Sequence, residues 1–148
     1  MRISAEEWYE NTKSIFRPGE LIYIATDEAN RTFFDPLAEH YQLRFLSDYN
    51  DLTGMEKLDP NFMGMIDQVV SSRGRVFVGT YFSSFSGFIG RIRGYFGISG
   101  KQMYYGYKEY MTETHKWVYP KSSYSAREFP IGWVGIEGDT EPTAKDFY

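Results

Sequence analysis

The chain contains no cysteine, so it can hold neither a disulfide framework nor a thiolate zinc site, and it offers no cysteine nucleophile. Histidine is almost as scarce. His40 and His115 are the only two, they lie far apart in the sequence, and no pattern of further metal ligands surrounds them. A zinc enzyme is therefore not expected, and the sequence predicts no metal and no other cofactor.

An excess of positive charge is also missing. Lysine and arginine number 16 against 20 aspartates and glutamates, whereas proteins that bind nucleic acids usually carry a basic surface. The only tight basic cluster is Arg91 with Arg93. The longest apolar run, Leu21 to Ala25, is far too short to cross a bilayer, and the first residues lack the apolar stretch of a signal peptide. We expect a soluble domain with no nucleic-acid partner and no membrane segment.

Aromatic residues, by contrast, are abundant and make up 19% of the 148 residues. They are dense after residue 100, where glycine, proline and serine interrupt any periodicity. Most such rings serve as core or strand residues, although a cluster of them could also bind a carbohydrate or another protein. We interpret residues 101–148 as an aromatic-rich extension that packs on a domain formed by residues 1–100.

Within residues 1–100, strand-like apolar runs alternate with helical patterns. Ser4 and Glu7 form a capping box before a helix that Pro18 and Gly19 end. Four helices are predicted: at 3–17, from Asn30 or Asp27 to His40, from Asp59-Pro60 onward, and at about 84–96. Three strands are predicted, at 21–26, 42–46 and 76–78. This order predicts an α/β fold with a parallel sheet flanked by helices, in which the continuous apolar run 21–26 is a strand buried on both faces.

The junction between the third strand and the last helix is rich in serine. Ser83, Ser84 and Ser86 stand at the start of the helix, where unpaired N–H groups and the positive end of the helix dipole favour an anion such as a phosphate. In a parallel sheet, ligands bind in the crevice beyond the carboxyl ends of the strands. The alternative is an ordinary serine N-cap. No P-loop, GxGxxG or GxSxG motif occurs in the sequence.

Two carboxylates are candidates for the same crevice. Asp27 closes the first strand, and its side chain is expected to point into that crevice. Asp67 lies on the third helix at the edge of the apolar face, where its carboxylate could accept two N–H bonds from the edge of a guanine. The alternative for Asp67 is a solvated helix residue. Asn30-Arg31-Thr32 matches a glycosylation sequon, although Asn30 could equally cap a helix.

Three segments taken together resemble a known family. They are Ile24-Ala25-Thr26-Asp27-Glu28, Met65-Ile66-Asp67-Gln68, and the stretch from Phe77 through Gly79-Thr80-Tyr81-Phe82-Ser83-Ser84-Phe85-Ser86 to Arg93. In order and spacing they resemble the carboxyl-terminal half of the GDP-fucose protein O-fucosyltransferases. The resemblance covers about residues 20–96, with a weaker similarity around residues 127–130.

The resemblance implies a fold and a site. It implies a Rossmann-like parallel sheet flanked by helices, equivalent to the carboxyl-terminal half of a GT-B glycosyltransferase. In that half Asp67 would bind the guanine, and Ser83, Ser84 and Phe85 would hold the diphosphate. Asp27 would line the cleft, and Arg93 matches a basic position on the following helix.

The resemblance also implies an activity: metal-independent, inverting transfer of fucose from GDP-fucose to a hydroxyl group of an acceptor protein or glycan. For the family this takes place in the secretory pathway, in the lumen of the endoplasmic reticulum or Golgi. It identifies no general base in this chain.

One motif of the family does not occur. The amino-terminal half of these enzymes carries His-x-Arg, whereas here His40 precedes Tyr41-Gln42 and His115 precedes Lys116-Trp117. We therefore expect the chain to act as a donor-binding half that needs an amino-terminal Rossmann half or a partner chain for transfer. Two alternatives stay open: a non-catalytic module that binds a GDP-sugar, and an aromatic-rich domain that binds a carbohydrate or a protein.

Overall fold

The structure, a computed structural model, describes residues 3–54, 57–80, 83–98 and 102–106. The chain divides into two compact units, Met1–Ser71 and Ser72–Tyr148, called unit 1 and unit 2 below. Among the described residues the α-helices are α1 (Ala5–Thr12), α2 (Asp35–Ala38), α3 (Asn50–Thr53), α4 (Met63–Ser72) and α5 (Ser84–Tyr95). The strands in the same residues are β1 (Leu21–Tyr23), β2 (Gln42–Arg44), β3 (Phe77–Gly79) and β4 (Met103–Tyr105). Short 3-10 helices span Arg31–Phe34, Leu46–Tyr49 and Pro60–Phe62.

Helix α1 begins where the sequence predicts and ends earlier. The Oγ of Ser4 accepts the N–H of Glu7 at 3.1 Å, which confirms the cap. The helix ends at Thr12 rather than at residue 17. There the Thr12 hydroxyl donates to the carbonyl of Trp8 at 2.8 Å, and the Thr12 carbonyl accepts the N–H of Ile15 in a tighter turn. A hydroxyl that bonds the preceding turn competes with the helical pattern, and the apolar spacing of the sequence carries no sign of that tightening.

Two short parallel strands form the sheet of unit 1. β1 pairs with β2 in the register Leu21↔Gln42 to Tyr23↔Arg44, and the N–H of Ile24 adds one bond to the carbonyl of Arg44 at 2.8 Å. The predicted parallel pairing is confirmed. The strand has three residues instead of six, however, and Leu21 is 57% exposed. The interpretation of this run as a strand buried on both faces is therefore wrong, because the core of unit 1 packs on the face of Ile22 while Leu21, on the opposite face, stays exposed.

The core of unit 1 lies between α1, α2 and β1. Its buried residues are Ala5, Ile22, Phe34, Leu37 and Tyr41, with partly buried rings such as Trp8 and Phe45 packed against them. Successive side chains along a strand point to opposite faces. Because Ile22 faces the core, Tyr23 points away from it, and this orientation brings Tyr23 to α4.

Unit 2 contains the second parallel pair. β3 pairs with β4 in the register Phe77↔Met103 to Gly79↔Tyr105. The first described part of the aromatic-rich extension is thus a strand, and its residues from Tyr107 onward lie outside the described residues. The boundary that the sequence predicts after residue 100 falls within unit 2 and stays a prediction.

The predicted α/β class is confirmed in its coarse form, as a mixture of helices and small parallel sheets. A single Rossmann-like sheet, equivalent to half of a GT-B enzyme, stays a prediction. In the part of the chain that the structure describes, no helix is long and apolar enough to span a membrane.

Candidate functional site

Unit 1 contains a cavity of about 370 Å³ that is lined by polar and apolar residues in nearly equal number. The lining residues come from the segment after β1, from the two 3-10 helices that follow, and from α3 and α4: Ile24, Thr26, Glu28, Ala29, Arg31, Phe45, Leu46, Ser47, Asn50, Met63 and Asp67. Of the two predicted carboxylates, Asp67 lies in this wall. Asp27 is exposed and is not part of the lining, although its neighbours Thr26 and Glu28 are.

Asp67 is half-buried on α4 and is held by a tyrosine from the other side of the unit. The Oη of Tyr23 donates to the Oδ1 of Asp67 at 2.6 Å. Burial raises the pKa of Asp67, and the hydrogen bond from Tyr23 opposes that rise. Burial, together with the bond to Asp67 and its charge, raises the pKa of Tyr23 far above the ordinary value. The phenol therefore stays protonated and donates, while the carboxylate accepts.

The local sequence pattern does not single out Tyr23, because the residue that it contacts lies 44 positions away. The available signal was a tyrosine inside an otherwise apolar run, since a buried phenol normally requires a hydrogen-bond partner. The sequence alone does not say which residue supplies that partner.

A cation lies in the same wall, and its charge is already paired. Arg31 forms an ion pair with Asp48 at 2.6 Å and donates to the Oγ of Ser47 at 2.5 Å. Its guanidinium also stacks over the ring of Phe45 at 4.4 Å. Desolvation raises the pKa of Asp48, but the N–H of Phe45 and the pairing with Arg31 lower it by more. These contacts fix one wall of the cavity and leave Asp67 as a carboxylate that no cation neutralises in the contacts described.

The serine-rich junction in unit 2 is built around a cap. The Oγ of Ser83 accepts the N–H of Ser86 at 3.3 Å, and the Oγ of Ser86 accepts the N–H of Thr80 at 3.0 Å. Ser83 is therefore an N-cap, which was the alternative at this position, while Ser84 is exposed and Phe85 is half-buried. The first N–H groups of a helix have no partner within it and lie at its positive end. The cap uses one of these groups, the N–H of Ser86, and the predicted anion site at this helix start stays a prediction.

The end of β3 approaches α5 very closely at Gly79. A Cβ at this position would lie 2.7 Å from the Oγ of Ser86, 2.8 Å from its Cβ and 2.9 Å from the Cε1 of Phe77. Only a residue without a side chain fits there. Gly79 thus lets the Ser86 hydroxyl reach the backbone of Thr80 and holds the start of the helix against the strand.

Replacing Gly79 with alanine is expected to lower the free energy of unfolding by roughly 1–3 kcal/mol, the usual cost of overpacking. Urea denaturation followed by circular dichroism measures it. The matched control is Gly94→Ala in α5, where an added Cβ meets nothing within 4 Å; it should be neutral or stabilising by up to about 1 kcal/mol. Equal stability of the two variants would contradict the close packing.

Arg93 lies within unit 2 and is completely buried. Its Nη1 donates to the carbonyls of Ser72 and Gly74 at 3.2 and 2.6 Å, and its Nη2 donates to that of Arg75 at 3.3 Å. Its Nε has no hydrogen-bond partner among the described residues. Burial lowers the pKa of the guanidinium. This geometry assigns Arg93 to holding the segment between α4 and β3, and it gives no support to the predicted contact with a donor.

No group of three or more histidine, aspartate or glutamate side chains in the described part of the chain is placed to hold a metal ion.

Comparison with protein families gives one match: the model described as GDP-fucose protein O-fucosyltransferase matches residues 1–96. The matched residues are about two thirds of the chain and include both the Asp67 cavity and the junction between β3 and α5. No curated protein and no solved structure matches the chain.

Proposed function

The chain belongs to the GDP-fucose protein O-fucosyltransferase family, and from this membership we propose that it binds GDP-fucose and serves the transfer of fucose to a hydroxyl group of a protein or glycan. The observation that carries the proposal is the Asp67 carboxylate in the wall of the unit 1 cavity. The alternatives are binding of a GDP-sugar without transfer, and binding of a carbohydrate or protein through the aromatic extension.

Guanine is the base that suits Asp67. Its Watson–Crick edge carries two adjacent donors, the N1–H and the N2 amino group, and an ionised carboxylate is an acceptor with two oxygens. Adenine offers one donor beside an acceptor, and uracil offers one donor between two acceptors. Asp67 would therefore favour GDP over ADP and UDP.

Unit 2, taken by itself, offers in this proposal a site for a diphosphate at the start of α5. The hydroxyls of Ser83 and Ser84 and the N–H groups of the first turn, including that of Phe85, would donate to its oxygens. When an acceptor hydroxyl attacks the anomeric carbon, its oxygen bonds to that carbon, the carbon–oxygen bond to the diphosphate breaks, and GDP leaves with developing negative charge. The proton of the hydroxyl passes to the departing phosphate or to water. Preorganised donors at that position would stabilise this charge without a metal. The anomeric centre would be inverted because the hydroxyl attacks the face opposite the departing diphosphate. Asp27 lies exposed between Thr26 and Glu28, which line the cavity, and its contact with the donor stays a prediction.

Isothermal titration calorimetry tests the proposal most directly. We expect GDP to bind at least about tenfold more tightly than ADP or UDP, because one additional hydrogen bond to a charged group contributes roughly 1.5–3 kcal/mol. The preference should persist in EDTA. Equal affinity for the three nucleotides, or strict dependence on magnesium, would contradict it.

A transfer assay separates the enzyme from the binding module. Radiolabelled GDP-fucose is incubated with the chain and with folded protein and glycan acceptors. Incorporation into an acceptor supports the transferase, and tight GDP binding without incorporation supports the module. Preference for free glycan with no response to GDP would favour the aromatic binder.

A further inference from the structure

The hydrogen bond between Tyr23 and Asp67 joins two elements that are far apart in the chain. Tyr23 is the last residue of β1, and Asp67 lies on α4, and their oxygens are 2.6 Å apart. A hydrogen bond from a hydroxyl to an ionised carboxylate is short and about twice as strong as a neutral one. This contact therefore determines how the Asp67 carboxylate is oriented.

The contact restricts a side chain that would otherwise turn freely. The torsion that rotates an aspartate carboxylate is broad and has no sharply preferred state. Tyr23 occupies Oδ1 from the side of the strand, so Oδ2 and the second lone pair of Oδ1 are left to accept from a ligand. While Asp67 is ionised the direction of the bond is fixed, because a carboxylate has no proton to donate and the phenol keeps its own.

We propose that Tyr23 is a positioning residue for nucleotide recognition, which holds the Asp67 carboxylate as a fixed acceptor in the cavity wall and thereby sets the preference for a base with two adjacent N–H donors. This inference rests on the proposed function of the cavity. Tyr23 acts through Asp67 and is not among the residues that line the cavity.

Other charged groups surround the pair, and they are the same in the parent and in a Tyr23 variant. Glu28 and Arg31 line the same cavity, and the charges of Asp48 and Tyr49 act on Tyr23. Arg31 is already paired with Asp48 at 2.6 Å. If removal of the phenol oxygen changes the pH dependence of GDP binding, the change is therefore due to the lost contact with Asp67.

The experiment compares Tyr23→Phe with the parent and with Tyr41→Phe. Tyr41 belongs to the buried core cluster of unit 1 and not to the cavity lining, so its variant removes the hydroxyl of a buried tyrosine without changing the contact with Asp67. GDP and UDP affinities are measured by calorimetry from acid to neutral pH. We expect Tyr23→Phe to weaken GDP binding about tenfold, to leave the weak UDP binding unchanged, and to move the acidic limb of GDP binding to higher pH.

The direction of the pH shift follows from the hydrogen bond. Asp67 must be ionised to accept from guanine, so GDP binding is lost as pH falls through the pKa of this carboxyl. Tyr23 holds that pKa down against the effect of burial. Without the phenol oxygen the pKa rises, and binding fails at a higher pH.

A second variant, measured by the same GDP titrations across pH, tests the inference if Tyr23→Phe does not fold. A difluorotyrosine at position 23 keeps the shape of the ring and is a stronger donor, so the acidic limb should move to lower pH. An unchanged ratio of GDP to UDP affinity and an unchanged acidic limb in the folded variant would overturn the inference. The proposed function would survive that result if the parent still prefers GDP, and it would fail by itself if the parent binds GDP and UDP equally.

Discussion

Replacing Arg93 with methionine is expected to lower the free energy of unfolding by roughly 2–4 kcal/mol. The guanidinium is fully buried and donates to three backbone carbonyls between α4 and β3. A buried acceptor left without a donor costs about 1–3 kcal/mol, and this applies to the bond with Ser72, which is buried, more than to the bonds with Gly74 and Arg75, which are part-buried. Methionine fills much of the volume and removes a desolvated charge, which offsets part of that loss.

Arg91→Met is the matched control for this change. Arg91 lies on the same helix, is partly exposed, and donates to the Oη of Tyr95 at 3.0 Å. Its replacement should cost no more than about 0.5 kcal/mol, as is usual at the surface. Urea denaturation of both variants, with amide hydrogen exchange at residues 72–75, measures the difference. If both unfold at the same urea concentration, Arg93 does not hold this segment.

Asp67→Asn is expected to weaken GDP binding by roughly 10- to 100-fold while the protein stays folded. The Oδ1 of asparagine can still accept the hydrogen bond from Tyr23, so the contact between β1 and α4 is retained. The Nδ2 of asparagine then presents donors to the donor edge of guanine. Loss of a paired acceptor in a site of this kind costs roughly 1–3 kcal/mol.

The selectivity of this variant provides the sharper test. Adenine carries an acceptor at the corresponding edge, so the ratio of GDP to ADP affinity should fall by more than the loss of GDP affinity alone. Asp35→Asn is the control, since Asp35 is exposed on α2 and is not part of the cavity lining; it removes one negative charge and should leave both affinities within about twofold of the parent. Unchanged GDP affinity in Asp67→Asn would mean that Asp67 is a structural partner of Tyr23 and does not bind the base.

Features that depend on a few neighbouring residues were predictable from the sequence alone. The N-caps at Ser4 and Ser83 each use a side-chain oxygen and an N–H three residues later, and Asp59 caps Asn61 two residues on. Such bonds form wherever the local pattern occurs, because no distant part of the chain is required. For the same reason the starts of α1 and α5 were predicted more accurately than the end of α1.

Features that depend on distant residues were decided by the tertiary structure. The sequence singled out Asp67 as a candidate carboxylate, but its pairing with Tyr23 spans 44 residues, and only the packing of α4 near β1 brings the two oxygens together. Arg93 matches a basic position of the family in sequence, and the structure shows it buried with its guanidinium donating to the carbonyls of Ser72 and Gly74. The sequence by itself determined which side chains could accept, donate or carry charge. Burial and long-range contacts decide which of these side chains face a cavity and which are hydrogen-bonded inside the fold. The local pattern of residues does not contain that information.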